Sequence, residues 1–381
     1  MTLTRRKTLA LIGGGILFAA GAGGGLILTR APRTAGAPWA LAGTYDDPRL
    51  RALSYAILAP NPHNRQPWMV DLSRPETAVL YVDTNRLLPH TDPFSRQITI
   101  GLGCFLEVLR MAALEDGLAV SVDLFPDGAD AAALDGRPVA VCHFAPTEAA
   151  PDPLFAQVLN RRSLKEPFDE TRPVPDSALP PLIAAAIHGT RVGASVAPDS
   201  IAEMRALSHE ALRIEIETPR TYQESVDLFR IGAREVDANP DGIDFTGPVF
   251  EGLAAAGLFT RQSALDPDST AYRQGLAAVF ANTDTAMGHI WQVTATNTRA
   301  DQIAAGQDWV RINLAATALG LGLQPLSQAL QEYPEMAAPY AEIHRRLAPE
   351  GGTVQMWARL GYGPDVAPSP RWPVEAKLLE S

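Results

Sequence analysis

Two segments in different halves of the chain have closely similar hydrophobic patterns. Residues 101–118 and 306–323 align without a gap, and each is a largely apolar run that reaches Gly117 or Gly322. Such a run predicts a buried helix that ends at the glycine. The shared residues are Gly101/Gly306, Leu109/Leu314, Ala113/Ala318, Leu114/Leu319, Gly117/Gly322 and Leu118/Leu323. A candidate strand precedes each run, at 79–83 and 290–294, so the repeated order predicts an internal duplication.

The N-terminus carries a different apolar segment. Residues 8–29 are uncharged and rich in glycine, and Arg5, Arg6 and Lys7 precede them. This arrangement resembles a twin-arginine export signal, so residues 1–37 are predicted to be a signal or a membrane anchor. A small-x-small cleavage site exists at 35–37, but Pro38 directly after it hinders a peptidase, and both fates stay open. The expected location is the periplasm or the outer face of the cytoplasmic membrane.

Composition excludes several functions. The formal net charge is −11 and no basic stripe is present, which argues against nucleic acid as a partner. Cys104 and Cys142 lie in apolar segments and are expected to be small buried side chains without a disulfide. No P-loop, dinucleotide-binding glycine motif, nucleophile elbow or zinc-protease motif occurs.

A basic segment at 160–168 has the chemistry of a phosphate site. Arg161, Arg162 and Lys165 surround the hydroxyl of Ser163, at a point where the pattern permits a helix to begin. Charge-assisted donors and a helix N-terminus together favour a phosphate. An isolated segment of this kind is also typical of a solvated basic turn.

A second segment, at 59–68, offers amides instead of charges. Asn61, Asn64 and Gln66 carry donors and acceptors, and Trp68 supplies a broad apolar face. This combination suits an aromatic heterocycle with polar edges, although a loop that leads into a buried strand explains the same residues. His63 lies within this segment as a candidate proton donor or as a loop hydrogen-bonding group. A phosphate end and a heterocyclic end together describe flavin mononucleotide (FMN).

With both motifs in this order, the chain resembles the nitroreductase superfamily of FMN-binding proteins from about residue 45 onward. The closest resemblance is to the Acg-like branch, in which two nitroreductase-like halves share one chain. The resemblance implies an α+β nitroreductase-like fold that is duplicated into an intramolecular pseudo-dimer, and hence a monomer. The implied halves are residues 38–150 and 151–381.

The resemblance also assigns residues to the flavin. It implies that Arg161, Ser163 and Lys165 hold the phosphate side, with Arg162 beside them, and that Asn61, Asn64 and Gln66 approach the ring. A loop at 320–328 is expected over one ring face, and Ser327 and Gln328 stand where the family commonly has an acidic residue. Pro325, Leu326, Ser327, Gln328 and the second phosphate clamp Arg371 complete the implied cofactor-binding set. Only one complete set is visible, which predicts one FMN per chain.

These residues predict an oxidoreductase that passes electrons from reduced nicotinamide, NAD(P)H, or another donor to a small-molecule acceptor such as a nitroaromatic or a quinone. No catalytic side chain is required, because the flavin carries the chemistry. Residues 237–275 are expected to form a lid over the flavin or an irregular surface connection. A lid and an exported location, where NAD(P)H is not expected, favour the alternative of FMN storage with little turnover. A third alternative is a membrane-tethered interaction protein with a vestigial flavin pocket.

Overall fold

The computed structural model describes residues 31–380 of the chain. The predicted signal lies mostly outside these residues. The described part contains two four-stranded antiparallel sheets, one in each half of the chain, and helices that pack between and around them. This arrangement confirms the predicted α+β class. The predicted division near residue 150 falls between the two sheets and stays a prediction.

The strands have the following bounds: β1 (Trp68–Asp71), β2 (Thr77–Val82), β3 (Leu118–Leu124), β4 (Ala140–Pro146), β5 (Arg191–Ser195), β6 (Phe229–Ile231), β7 (Ile243–Phe245), β8 (Gly288–Thr294), β9 (Gly322–Pro325) and β10 (Thr353–Gly361). The first sheet has the order β1-β2-β4-β3 and the second has the order β5-β8-β10-β9. Strands β6 and β7 form a small parallel pair.

The helices have the following bounds: α1 (Ala37–Leu41), α2 (Pro48–Ala56), α3 (Arg96–Glu115), α4 (Leu179–Ala184), α5 (Pro198–Glu217), α6 (Pro219–Asp227), α7 (Ala233–Ala238), α8 (Pro248–Ala255), α9 (Arg261–Leu265), α10 (Thr270–Asp284), α11 (Arg299–Ala318) and α12 (Ala337–Leu347). Along the chain, helix α3 comes between β2 and β3, the second and third strands of the first sheet. Helix α11 has the same place in the second sheet, so strand order and helix position repeat.

The two long helices α3 and α11 cross at glycine. A Cβ atom on Gly103 would lie 2.2 Å from the carbonyl oxygen of Ile303, and one on Gly306 would lie 2.0 Å from that of Ile100. The backbones therefore touch, and no side chain fits between them. In a two-fold symmetric contact residue i meets residue j of the other half while j meets i, and a residue meets its own equivalent only at the axis. The alignment of the halves equates Gly306 with Gly101, two residues from the observed contact.

Helix α3 is long and apolar enough to cross a membrane by composition, but 89% of its apolar stretch is buried inside the protein. It is therefore the central helix of the core. Helix α11 begins at a capping box, in which the Thr298 hydroxyl and the Asp301 carboxylate satisfy each other's backbone N–H groups. These interactions fix where the helix begins.

The predicted lid residues 237–275 form regular structure, namely β7, α8, α9 and the first turns of α10. Four phenylalanine rings in contact, Phe229, Phe245, Phe250 and Phe259, hold this part of the chain together. The Pro240 carbonyl accepts a hydrogen bond of 2.7 Å from Gln66. The segment is thus not an irregular connection, and it is joined to the amide-rich loop. Its role as a lid stays a prediction.

Candidate cofactor-binding site

Two arginines from distant parts of the chain meet at one carbonyl oxygen. Arg161 and Arg371 each donate from Nη2 to the oxygen of Leu58 over 3.2 Å. Arg371 also donates to the oxygen of Ala59 over 3.2 Å. Leu58 and Ala59 lie just beyond Ile57, the C-cap of helix α2, so no helical N–H is available to their carbonyls. The exposed fractions of the two arginines are only 4% and 2%.

This pair has no carboxylate partner among the described residues, because no salt bridge there involves Arg161, Arg162 or Arg371. Burial lowers the pKa of Arg161 to about 10. Burial and the charge of Arg161 lower the pKa of Arg371 to about 9. Both remain cations at neutral pH. The Nη1 atom of Arg161 and the Nε atom of Arg371 are buried without a hydrogen-bond partner.

Buried charges are normally paired, because removal from water is costly. Two buried guanidinium groups with free donors therefore describe a site for an anion, and a phosphate has the oxygens to accept from both. The residues present fit a phosphate group. The predicted pairing of Arg161 with Arg371 across the chain is thus observed, while their assignment to a flavin stays a prediction.

The loop between helix α2 and strand β1 is strained. His63, Asn64 and Gln66 have φ angles of 47°, 51° and 49°, in the left-handed region that favours glycine. Each such residue costs of the order of 1 kcal/mol, and such strain clusters at functional sites. The loop therefore needs strong tethers to persist.

Gln66 is the principal tether and corrects one expectation. It is fully buried, its Nε2 donates to Pro240 O (2.7 Å), and its Oε1 accepts from Trp372 N (2.9 Å). Its backbone oxygen accepts from Lys377 Nζ over 2.7 Å. The side-chain amide is therefore used within the protein and cannot serve a ring. Gln66 joins the loop to the lid segment and to the C-terminal segment, which contains Trp372 and Lys377.

The two asparagines also have internal partners. Asn61 Oδ1 accepts from Gln66 N (2.7 Å), and its Nδ2 donates to Ala59 O (3.1 Å). Asn64 Oδ1 accepts from the Arg371 guanidinium, and its Nδ2 donates to Pro370 O (3.0 Å). Asn64 therefore positions the arginine, and Asn61 stabilises the strained loop. Direct contact of either residue with a ring stays a prediction.

Trp68 contradicts its expected role. Its side chain is 0% exposed and packs against Phe105 of helix α3 with ring centroids 5.1 Å apart. It is a core residue of strand β1, and it offers no face to a heterocycle. The alternating pattern of β1, in which Trp68 and Val70 are buried, explains this.

The basic segment contains no helix, which corrects the expected helix start at Ser163. Instead the Leu164 N–H donates to Leu323 O of strand β9 over 3.0 Å, so the segment lies along the edge of the second sheet. Arg162 donates to Val366 O over 3.2 Å, and Ser163 is half-buried. Lys165 is exposed. An anion here would therefore be held by side chains and not by a helix dipole.

His63 lies close to this segment. Burial, followed by the charges of Lys165 and Arg65, lowers the pKa of His63 to about 4. The imidazole is therefore neutral at pH 7, and its Nδ1 atom is buried without a partner. A neutral imidazole can donate or accept a hydrogen bond, but it is a poor reservoir of protons at this pH. The His63 side chain makes no hydrogen bond within the described residues, so its two alternatives, proton donor and loop hydrogen-bonding group, both stay predictions.

The predicted ring-facing loop follows strand β9. Pro325 ends the strand, Leu326 is buried and donates from its N–H to Trp357 O (2.8 Å), and Ser327 and Gln328 are half-buried at the start of a 3-10 turn. The turn is Gln328–Leu330. This part of the loop is thus backed by strand β10.

Glu215 of helix α5 is a residue that sequence reasoning missed. Its carboxylate is buried beside this loop and accepts from Gln331 Nε2 over 2.8 Å. Burial raises the pKa of Glu215 to about 7, and no described cation pairs with it. Ser327 and Gln328 are not acidic, but helix α5 places the carboxyl group of Glu215 against the same loop. No sequence motif marks this position.

A similar carbonyl at a helix end in the second half also accepts from an arginine, but the charge of that arginine is neutralised within the protein. The Ala185 carbonyl, directly after helix α4, accepts from Arg311 Nε over 2.7 Å, as the Leu58 carbonyl does from its two arginines. Here, however, Glu107 and Asp152 pair with Arg311. An open groove of about 670 Å³ lies alongside. Its cations are neutralised within the protein.

Within residues 31–380, no cluster of three or more His, Cys, Asp or Glu side chains could hold a metal ion. Cys104 and Cys142 are both buried and free. Burial raises the pKa of each thiol to about 12, so neither is a thiolate at neutral pH.

Comparison with known proteins supplies relatives but no matching family model. Two proteins of Mycobacterium tuberculosis H37Rv, each provisionally named an NAD(P)H nitroreductase, are similar over most of their length. Rv3131 is 25% identical over 343 residues, which cover 85% of this chain and 91% of the relative. The protein named acg is 27% identical over 333 residues, which cover 84% and 90%. These relatives confirm the resemblance to the nitroreductase superfamily.

Solved structures of nitroreductases are more distant. The FMN-dependent nitroreductase NfnB of Mycobacterium smegmatis, in complex with NADPH, is 20% identical with a TM-score of 0.36 and covers 60% of this chain and 98% of its own. A nitroreductase-like protein of Anabaena variabilis is 12% identical with a TM-score of 0.42 and covers 90% and 91%. These scores are too low to carry an argument about the site.

Proposed function

We propose that this protein is an FMN-dependent oxidoreductase of nitroreductase type. The observation that carries the proposal is the buried pair Arg161 and Arg371, which within residues 31–380 has no carboxylate in a salt bridge and keeps two donors without a partner. The names of the two M. tuberculosis relatives, each given as an NAD(P)H nitroreductase, support the same type of activity. In this proposal the two arginines bind the phosphate, and Ser163 and Lys165 lie beside it.

Bound FMN would supply hydride and electron transfer, and the protein would position it. The proposed ring-facing groups are those at the end of strand β9, namely Pro325, Leu326, Ser327 and Gln328. Electrons come from reduced nicotinamide or another donor and pass to a nitroaromatic or quinone-like acceptor. The names of the M. tuberculosis relatives, which include NAD(P)H, support a nicotinamide donor. The chain functions as a monomer whose two halves replace the two subunits of a dimer.

The location is part of the proposal. The twin-arginine resemblance of residues 1–30, which lie outside the described residues, supports export to the periplasm or attachment to the outer face of the cytoplasmic membrane. Cell fractionation with an antibody against the folded part tests this.

Absorption spectroscopy tests the cofactor. The full-length chain is purified in mild detergent, and its visible spectrum is recorded before and after FMN is added. We expect a bound-flavin spectrum that Arg161→Ala and Arg371→Ala remove. Arg191→Ala is the control, because Arg191 is exposed and its side chain contacts Glu350 and the Gly351 carbonyl at the surface. A wild-type protein that takes up no FMN overturns the proposal.

Storage of FMN with little turnover is the second candidate. The lid segment is fastened to the amide-rich loop, since Gln66 donates to Pro240 O and the Gly242 N–H donates to Asn64 O over 3.3 Å. A lid held closed would limit access to the ring. Steady NAD(P)H oxidation by the FMN-loaded protein with an acceptor favours the enzyme, and a bound flavin that is not reduced and reoxidised favours storage.

A further inference from the structure

Trp39 lies against the cations of the candidate phosphate site. Its ring centroid is 5.0 Å from the guanidinium carbon of Arg162 and 5.6 Å from that of Arg371. Its Nε1 donates to Ser369 O over 2.8 Å, and the residue is only 9% exposed. One indole therefore contacts the basic segment and the C-terminal arginine, which are far apart in the sequence.

The residues before Trp39 are fastened to the same region. The carboxylate of Asp237 accepts from the backbone N–H groups of Arg33 (2.9 Å), Thr34 (2.8 Å) and Ala35 (3.1 Å). The Arg371 N–H in turn donates to Ala35 O over 2.9 Å. Ala35 is 2% exposed. Residues 33–39 are therefore part of the folded protein and not a free extension of the signal.

An aromatic ring is a suitable neighbour for a cation that must bind an anion. Burial, and after it the charges of Arg161 and Arg162, lower the pKa of Arg371, while the charge of Asp244 partly opposes them. A carboxylate would relieve this repulsion but would also occupy the donors, as Glu107 and Asp152 do at Arg311. A ring face attracts a guanidinium without accepting its hydrogen bonds, so the donors stay available.

We propose that Trp39 is a positioning residue of the phosphate clamp and that it contributes to the preference for FMN over riboflavin, which lacks the phosphate. This inference rests on the proposed FMN function. Trp39 acts through Arg371 and Arg162, while the carboxylate of Asp237 fixes the backbone that carries it. Cleavage after Ala37 would release the bonds made by Ala35 and leave Trp39 next to a new, mobile N-terminus. Residues 33–39, when they are not cleaved, therefore belong to the proposed cofactor site.

The test compares two flavins on the full-length chain in mild detergent. Dissociation constants for FMN and for riboflavin are measured by fluorescence titration for wild type, Trp39→Ala and Trp39→Phe. We expect Trp39→Ala to weaken FMN binding about tenfold, equivalent to about 1.4 kcal/mol. Riboflavin binding should be unchanged, and Trp39→Phe should retain most of the FMN affinity because a ring face remains.

Two further variants distinguish a specific loss of FMN binding from a general loss of folding. Asp237→Ala releases residues 33–35 without touching Trp39 and should give the same FMN-selective loss. Trp291→Ala removes an equally large ring from strand β8 and should change neither constant. Equal losses for both flavins in Trp39→Ala, or unchanged FMN binding, overturn the inference while the FMN function stands. Wild-type protein that binds neither flavin overturns both.

Discussion

Arg161 and Arg371 donate hydrogen bonds to the same backbone oxygen, that of Leu58, although 210 positions separate them in the numbering of the chain. Two like charges do not converge on one carbonyl for stability alone, because burial and mutual repulsion both oppose it. The arrangement is stable only if the rest of the fold enforces it. Its natural complement is an anion.

Inorganic phosphate should therefore stabilise the flavin-free protein. A ligand that binds only the folded state raises its stability by RT ln(1 + [L]/Kd), about 2.7 kcal/mol at a hundred times Kd. We expect the melting temperature to rise with phosphate in wild type and the rise to be smaller in Arg161→Ala. Phosphate also stabilises proteins generally, because it is excluded from the protein surface, and Arg161→Ala should retain this general stabilisation. Equal rises in both proteins would contradict a specific site.

The sequence predicted this pair but not its neighbours. The basic segment at 160–168 was visible because its side chains have the chemistry that a phosphate requires, whereas Arg371 was assigned through the resemblance alone. Amide groups in a sequence, by contrast, do not reveal which way they face. Gln66 and Asn61 have the donors of a ring-binding residue, yet their hydrogen bonds are made within the protein.

Trp39 and Glu215 were missed for a related reason. Their significance depends on contacts with remote residues, such as Ser369 for Trp39 and Gln331 for Glu215, and no local spacing encodes these. The helix expected at Ser163 fails because the Leu164 N–H pairs with strand β9 instead of a helical turn. The α+β class was accessible mainly through the family resemblance, and the repeated strand and helix pattern is what predicts the duplication.

The glycines at the helix crossing should tolerate no side chain. Gly103→Ala or Gly306→Ala would place Cβ within 2.2 Å of a backbone oxygen, so helices α3 and α11 must separate. We expect a loss of several kcal/mol in the free energy of unfolding, since overpacking a core costs about 1–3 kcal/mol even where side chains can move. Denaturant unfolding measures this.

Gly275→Ala is the matched control, because Gly275 lies in helix α10 with nothing within 4 Å of the added Cβ. Alanine there should be neutral or stabilise by up to about 1 kcal/mol. A Gly306→Ala protein as stable as this control would show that the two helices do not pack as closely as described.

Glu215 should make stability depend on pH. Its pKa is raised to about 7 from 4.5, so the folded protein holds a proton that the unfolded chain has released between these values. The free energy of unfolding contributed by Glu215 therefore falls as pH rises from about 4.5 to 7, by up to a few kcal/mol at 1.36 kcal/mol per unit. Glu215→Gln should remove this fall.

The measurement is the melting temperature of wild type and Glu215→Gln at several values between pH 5 and 8. His63 and His289, whose pKa values burial lowers to about 4 and about 3, contribute in the opposite direction. The difference between the two proteins isolates Glu215, and it should grow with pH in favour of the variant. A constant difference would contradict a buried, titrating carboxyl.

Gln66 should control how firmly the loop, the lid segment and the C-terminal segment hold together. Gln66→Met keeps the approximate volume but removes the bonds to Pro240 O and Trp372 N. Because the Trp372 N–H then loses its acceptor, its hydrogen exchange should accelerate, and stability should fall by about 1–3 kcal/mol. Hydrogen-exchange mass spectrometry measures both segments.

Gln223→Ala is the control, since the exposed Gln223 amide bonds only to Asp227 within its own region of the chain. It should leave exchange at Trp372 and near Pro240 unchanged. Wild-type exchange rates in Gln66→Met would mean that other contacts, such as that of Lys377 with the Gln66 backbone, are sufficient to fix the loop.

The unequal electrostatics of the two halves predict one FMN per chain. A two-fold symmetric dimer has two equivalent sites, but a duplicated chain can lose one. Burial alone would raise the pKa of Glu107, yet hydrogen bonds from Arg110 and His188 hold it at about 2, so Glu107 is a carboxylate at neutral pH. With Asp152 it neutralises Arg311, whose contact with the Ala185 carbonyl is similar to that of Arg161 and Arg371 with the Leu58 carbonyl.

An incoming phosphate at Arg311 would have to displace one carboxylate and then repel the other. We therefore expect flavin released by heat from saturated protein to equal the protein in moles, measured by absorbance against amino-acid analysis. Asp152→Asn should keep this ratio, because the buried Glu107 still pairs with Arg311. Two flavins per chain in either protein would mean that the paired cations bind phosphate despite their carboxylates.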